Sequence, residues 1–93
     1  MSDYKLKLLK VIQTKSKTRK EIFTEIRQIL ADAKVTDFAD FFRLLYDEVD
    51  TYGTGHIAEC ILIIARYESS DTHVVDKEIN AMAMLIEILG VIT

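Results

Sequence analysis

Two apolar segments near the C-terminus constrain the fold of this 93-residue chain most strongly. They are IAECILIIARY, residues 57–67, and DTHVVDKEINAMAMLIEILG, residues 71–90. Each carries apolar residues around most of a helical circumference, and a helix of that kind normally lies at the centre of a protein. Because so short a chain builds only one small core, we expect both segments to form the middle of the fold, or a partner to cover their surplus apolar surface.

Three amphipathic helices are predicted before these segments. The first spans about residues 3–13, with Leu8, Leu9 and Ile12 on one face. The second begins at Thr18, where TRKE has the form of a capping box that pairs Thr18 with Glu21. The third lies in VTDFADFFRLLYDEVD, is capped by Thr36 or Asp37 and ends near Asp50; its helical spacing groups Phe38, Phe41, Phe42, Leu45 and Val49.

The pattern predicts an all-α fold: one compact domain over residues 1–93, a bundle of four to five helices. The chain has no proline and no internal repeat, so nothing marks a linker. The fifth helix is expected to start near Asp71 or Thr72 and to be stopped by Gly90. The alternative is a winged-helix-like α+β fold with residues 57–67 as a strand, because this segment is rich in β-branched residues.

Charge is distributed unevenly along the chain. The net charge is −3, yet residues 1–30 carry eight Lys/Arg against three Asp/Glu, whereas residues 31–93 carry four against twelve. Such asymmetry is found with an anion-binding end, with head-to-tail self-association, or with simple solvation of the two ends. The single cysteine, the lack of a signal-peptide pattern and the shortness of the charge-free runs favour a cytoplasmic protein that does not enter a membrane.

The stretch FFRLLYDEVDTYGTGHIAECILIIARY, residues 41–67, resembles an EF-hand in outline, with the loop starting at Asp50. Asp50, Gly55 and Ile57 match the first, sixth and eighth positions of its loop. Tyr52 and Ile61 stand at the third and twelfth positions, where calcium requires oxygen ligands. The resemblance therefore predicts a helix-loop-helix shape without calcium, and the two glycines are expected to form a hinge.

The same region holds the residues that come nearest to a chemical site. His56 and Glu59 lie one helical turn apart, and Cys60 follows. A metal site needs more ligands than this pair supplies, and a thiol inside AECILIIA is expected to be buried and unreactive. The sequence also lacks a glycine-rich phosphate loop. We therefore expect no metal, no cofactor and no enzymatic activity.

A basic N-terminal segment supports an alternative function. KLKLLKVIQTKSKTRK carries seven Lys/Arg in sixteen residues, the pattern of a phosphate-binding surface. A nucleic-acid-associated regulator would use Lys15, Lys17, Arg19, Lys20 and Arg27. Against this alternative, the third helix carries five acidic residues and one arginine, and it would be repelled by DNA.

The function that the sequence favours is protein–protein interaction without catalysis. We expect a small acidic regulator, inhibitor or assembly factor that forms a homodimer or homo-oligomer through its apolar C-terminal half and binds a protein of unknown identity. Aromatic residues around the third helix are the candidate contact residues. Phe41 and Phe42 are adjacent, so one of them is expected near the rim. The candidates are Phe41, Phe42, Tyr46 and Tyr52.

Overall fold

The computed structural model describes residues 4–14 and 16–92. These residues form six helices and, within the described ranges, no strand. The all-α prediction is confirmed, and the alternative with a strand at residues 57–67 is not supported. None of the described helices is both long and apolar enough to cross a membrane. The helices are α1 Tyr4–Gln13, α2 Arg19–Asp32, α3 Ala39–Asp47, α4 Val49–Tyr52, α5 Ile57–Ser70 and α6 Lys77–Ile92.

Contacts divide the chain into two compact units, Met1–Val35 and Thr36–Thr93. In the first unit α1 packs against α2. The capping box predicted for α2 is present: the Glu21 amide donates to Thr18 Oγ1 (3.2 Å), and the Thr18 amide donates to Glu21 Oε1 (2.8 Å). The prediction of one domain over residues 1–93 stays a prediction.

The last turn of α2 closes in a Schellman motif. The Lys34 amide donates to Ala31 O and the Val35 amide donates to Leu30 O, each at 3.1 Å. This pattern satisfies two carbonyls that the helix end would otherwise leave free. Lys34 takes the left-handed position of the motif, with φ of +56°. Glycine is the usual residue there because it has no Cβ.

In the second unit the third predicted helix is broken in two. Glu48 leaves helical geometry, so α3 ends at Asp47 and the short α4 follows. The Tyr52 hydroxyl, on α4, donates to Leu45 O on α3 at 2.6 Å, which ties the two pieces together. The predicted cap is partly right: the Ala39 amide donates to Asp37 Oδ1 at 3.0 Å, while Phe38 precedes the first helical residue.

The two glycines of the predicted hinge, Gly53 and Gly55, are required for different structural reasons. A Cβ on Gly53 would lie 2.9 Å from Val49 O and 3.2 Å from Cys60 Sγ, so close packing requires glycine there. Gly55 has φ of +88°, a conformation that only glycine adopts freely. The His56 amide donates to Gly53 O at 2.7 Å and closes the turn. The glycines therefore form a turn between α4 and α5 at the position where the hinge was predicted.

α5 and α6 form an antiparallel pair in the second unit. The Asn80 side-chain Nδ2 donates to Tyr67 O at 3.0 Å near one end of the pair. Farther along, Arg66 Nη1 donates to Glu87 Oε2 at 2.9 Å, and the Tyr67 hydroxyl donates to the same oxygen. Helical spacing places Cys60, Ile63 and Ile64 on the buried side of α5, which decides helix over strand despite the β-branched content.

Both predicted ends of the last helix are wrong. α6 begins at Lys77 rather than near Asp71 or Thr72, because the Ile79 amide donates to Asp76 Oδ1 at 3.1 Å and makes Asp76 the effective N-cap. Gly90 does not stop α6, which continues to Ile92. Its φ is not positive, so it does not take the left-handed conformation in which a glycine ends a helix.

Candidate functional site

The structure buries three of the four aromatic residues that the sequence singled out. Phe41, Phe42 and Tyr52 are buried, whereas Tyr46 is 46% exposed. The expectation that Phe41 or Phe42 lies near the rim is wrong. α3 contacts both α4 and α5, so its buried arc is wide enough for two adjacent phenylalanines. Burial also raises the pKa of Tyr52, whose hydroxyl has its partner within the fold.

Tyr46 stands at one side of an open groove between α3 and α5. The groove has a volume of about 260 Å³. Phe42 and Ile64 are buried beneath it, and Arg43 and Glu68 are exposed at its sides. The Arg43 guanidinium lies 5.3 Å from the centre of the Tyr46 ring, and its Nε lies 3.0 Å from Asp47 Oδ1. The groove therefore combines an apolar floor with an aromatic and charged edge.

A second surface lies on α6. Most of this helix is buried or half-buried, and its three exposed residues, Ile79, Ile86 and Gly90, are all apolar. At 100° per residue, Ile79, Ala83, Ile86 and Gly90 fall within about 60° of one another. Ile79 is 68% exposed and Ile86 is 53% exposed. We call these four residues the α6 stripe.

The only charged residue of α6 after Glu78 is Glu87, next to the α6 stripe. Arg66 and Tyr67 both donate to its carboxylate. The Tyr67 hydrogen bond lowers the pKa of Glu87 and raises the pKa of Tyr67. Leu62, one turn before Arg66 on α5, is 68% exposed. The α6 stripe and Leu62 therefore flank a carboxylate that already has its partners.

The described basic residues of the alternative site lie at the start of α2 and along it. Lys17, Arg19, Lys20 and Arg27 are exposed; Lys15 lies outside the described residues. Lys17 forms an ion pair with Glu25. The capping box occupies amides at the start of α2 and places the Glu21 carboxylate beside them, where a bound phosphate would have to lie.

The residues considered for chemistry do not form a larger cluster. His56 Nδ1 lies 2.9 Å from Glu59 Oε1 on the surface. Cys60 is fully buried, and that burial raises the pKa of its thiol. Within the described ranges, no three His, Cys, Asp or Glu side chains are grouped as metal ligands. In the stretch that resembles an EF-hand, the loop between the helices is short, because Val49–Tyr52 and Ile57–Ser70 are both helical.

The sequence did not single out Leu62, Ile79 or Ile86 as surface residues. A helix that is apolar all round gives no sign of which arc faces solvent. The spacing Ile79, Ala83, Ile86, Gly90 would have been informative, because small residues separate the large ones. Asn80, which is buried, and Glu87, whose carboxylate accepts hydrogen bonds from Arg66 and Tyr67, lie on the arc of α6 next to the stripe.

We compared the chain with known protein families, curated proteins and solved structures. No protein-family model, no curated protein and no solved structure matches this chain.

Proposed function

We propose that this chain is a non-enzymatic protein–protein interaction module, a small regulator, inhibitor or assembly factor that self-associates through its apolar C-terminal half. The observation that carries the proposal is the α6 stripe: Ile79 and Ile86 are exposed, and no exposed residue of α6 is charged or polar, since Glu87 beside the stripe is half-buried and paired with Arg66. Exposed aliphatic residues that line up on one helix face are typical of association sites.

The spacing of the α6 stripe suits a twofold symmetric contact. When two copies of α6 pair antiparallel with Ile79 opposite Gly90, Ala83 stands opposite Ile86, so each large residue meets a small one. A Cβ on Gly90 would meet nothing within 4 Å in the single chain, which leaves space for the isoleucine of a second copy. In a twofold contact, residue i meets residue j and j meets i. The stripe is therefore self-complementary in side-chain size.

The energy of the contact follows from the area that it covers. Fully burying an aliphatic side chain contributes roughly 1.5–3 kcal/mol. Ile86 is about half exposed, so covering the remainder contributes about 1 kcal/mol or more in each copy. Twofold symmetry makes every substitution count twice. Replacing Ile86 with a charged residue, which also places a charge in the contact, is expected to weaken the dimer at least ~30-fold.

The experiment is sedimentation of Ile86→Lys against a matched control. Val75 is a fully exposed aliphatic residue between α5 and α6 and lies outside the α6 stripe. At ~500 mM salt, we expect the parent chain and Val75→Lys to dimerise alike and Ile86→Lys to remain at 10.7 kDa. Equal association of Ile86→Lys and Val75→Lys would contradict the proposal.

Gly90→Lys separates association from folding. Glycine inside a helix destabilises it by roughly 0.5–1 kcal/mol, and lysine is favourable near a helix C-terminus. The site is open in the single chain, so the substitution is expected to stabilise the monomer while it blocks the dimer. A chain that is more stable yet monomeric supports the contact. A chain that is more stable and still dimeric rejects it.

The alternative function, a nucleic-acid-associated regulator, is supported by the exposure of Lys17, Arg19, Lys20 and Arg27. Electrophoretic retardation of DNA or RNA at ~50 mM salt tests it. Binding that weakens as salt rises, and that disappears when Lys17, Arg19 and Lys20 are replaced, would favour this alternative. The absence of retardation at this salt concentration would remove it.

A further inference from the structure

The α3–α5 groove and α1 carry opposite charges beside apolar surface. Beside the groove, Asp40 follows the lining residue Ala39, and Glu68 is itself exposed at the groove. Arg43 lies at the same edge, but Asp47 already pairs with it. The groove is thus an apolar opening with a net negative edge.

Helix α1 offers the matching surface. Leu6 is 64% exposed, and exposed Lys10 lies one turn further along the same face. Lys7 is also exposed, about 100° around the helix from Leu6. α1 has no acidic residue. An aliphatic side chain flanked by lysines therefore projects from the positively charged end of the chain.

The size of the groove favours a side chain over a small molecule. Its volume of about 260 Å³ is below the roughly 300–1,000 Å³ of typical small-molecule pockets. Tyr46 and Arg43 at its edge belong to the residue types that dominate protein contacts. We propose that the α3–α5 groove of one copy receives Leu6 of a second copy, with Lys7 and Lys10 of that copy facing Asp40 and Glu68.

This contact differs in symmetry and in chemistry from the α6 contact, and it does not depend on it. It joins two different surfaces, so it is heterologous and generates rings or open chains rather than closed dimers. Its ion pairs are solvent-exposed, so it weakens as salt rises. The apolar α6 contact persists at high salt. The chain is therefore expected to have two modes of self-association, which differ in their dependence on salt.

The test is sedimentation of the full chain at ~20 mM and ~500 mM salt. We expect particles larger than a dimer at low salt that revert to the α6 dimer at high salt. Leu6→Ser should abolish the low-salt growth and leave the high-salt dimer intact, whereas Val75→Lys should leave both unchanged. A parent chain that shows no growth at low salt overturns the proposal, even if the α6 dimer forms.

Charge reversal tests the pairing itself. One variant carries Lys7→Glu and Lys10→Glu, and the other carries Asp40→Lys and Glu68→Lys. Each alone should lose the low-salt growth, since like charges then face each other, while a mixture should regain it. The circular dichroism of a helical protein, measured at high salt, shows that each variant folds whether or not the α6 dimer forms. Growth of either variant alone, or a mixture that stays small, contradicts the assignment.

Discussion

At the residue scale, Lys34 holds a backbone conformation that its side chain disfavours. It occupies the left-handed position of the Schellman motif with φ of +56°. For a residue with a Cβ this conformation is unfavourable by roughly 1–2 kcal/mol, part of which glycine gives back through the entropy of the unfolded chain. Lys34 is therefore a place where the sequence departs from what its local structure prefers.

Lys34→Gly is expected to raise the free energy of unfolding by about 0.5–1 kcal/mol, measured by urea denaturation. Lys34→Ala is the control, because it removes the same charge but keeps a Cβ in the left-handed region. If both variants shift the urea midpoint equally, the effect comes from the lost charge and not from the backbone conformation.

Tyr52 gives a second test at this scale. Its buried hydroxyl donates to Leu45 O across the break between α3 and α4. Tyr52→Phe removes the donor and leaves a buried carbonyl without it, so a loss of about 1–2 kcal/mol in unfolding free energy is expected. Tyr46→Phe is the matched control, since Tyr46 is exposed. Equal stability of the two variants would show that the hydrogen bond from Tyr52 to Leu45 O contributes nothing to the free energy of unfolding.

At the scale of elements, α2 depends on its capping box. Thr18→Ala is expected to lower stability by about 1 kcal/mol. The pKa of Glu21 lies below its ordinary value, because its carboxylate accepts the Thr18 amide and hydroxyl hydrogen bonds. A lowered folded-state pKa stabilises the fold above the ordinary pKa of Glu, and that contribution disappears as pH falls through the folded-state pKa.

The difference in stability between the parent chain and Glu21→Gln should therefore be present near neutral pH and vanish at strongly acidic pH. Urea denaturation at several pH values measures it, and NMR titration of Glu21 gives the pKa directly. A Glu21 pKa at or above the ordinary value, or a stability difference that does not change with pH, would contradict the role assigned to the box.

Pairing of α6 can be tested as an element. In a Cys60→Ala background, chains with Ile79→Cys and chains with Gly90→Cys should cross-link to each other through a short bismaleimide, because antiparallel pairing places these positions together. Neither variant alone should cross-link efficiently. Strong cross-linking of Ile79→Cys to itself would indicate parallel helices and contradict the register.

Some of these elements could be predicted from sequence, and others could not. Apolar spacing and the box at Thr18 predicted α1 and α2 because their signals are local. The start of α6 could not be predicted from sequence, since Asp71, Thr72 and Asp76 are all residue types that cap helices. In the structure, Asp76 is the one that accepts a hydrogen bond from a first-turn amide, that of Ile79. The groove beside Tyr46 depends on contact between α3 and α5, which no local pattern contains.

At the scale of the whole molecule, the charge pattern follows the two compact units. Residues 1–35 carry nine Lys/Arg and four Asp/Glu, a net +5, and residues 36–93 carry three and eleven, a net −8. The boundary set by contacts therefore coincides with the change in the sign of the charge. Association between unlike units responds to salt, and association through the α6 stripe does not.

The central claim, self-association through α6, is tested most directly by light scattering over a range of concentrations at high salt. The parent chain is expected to rise from 10.7 kDa to twice that mass as concentration increases, while Ile86→Lys stays at 10.7 kDa throughout. A parent chain that remains at 10.7 kDa at the highest concentration would contradict the claim.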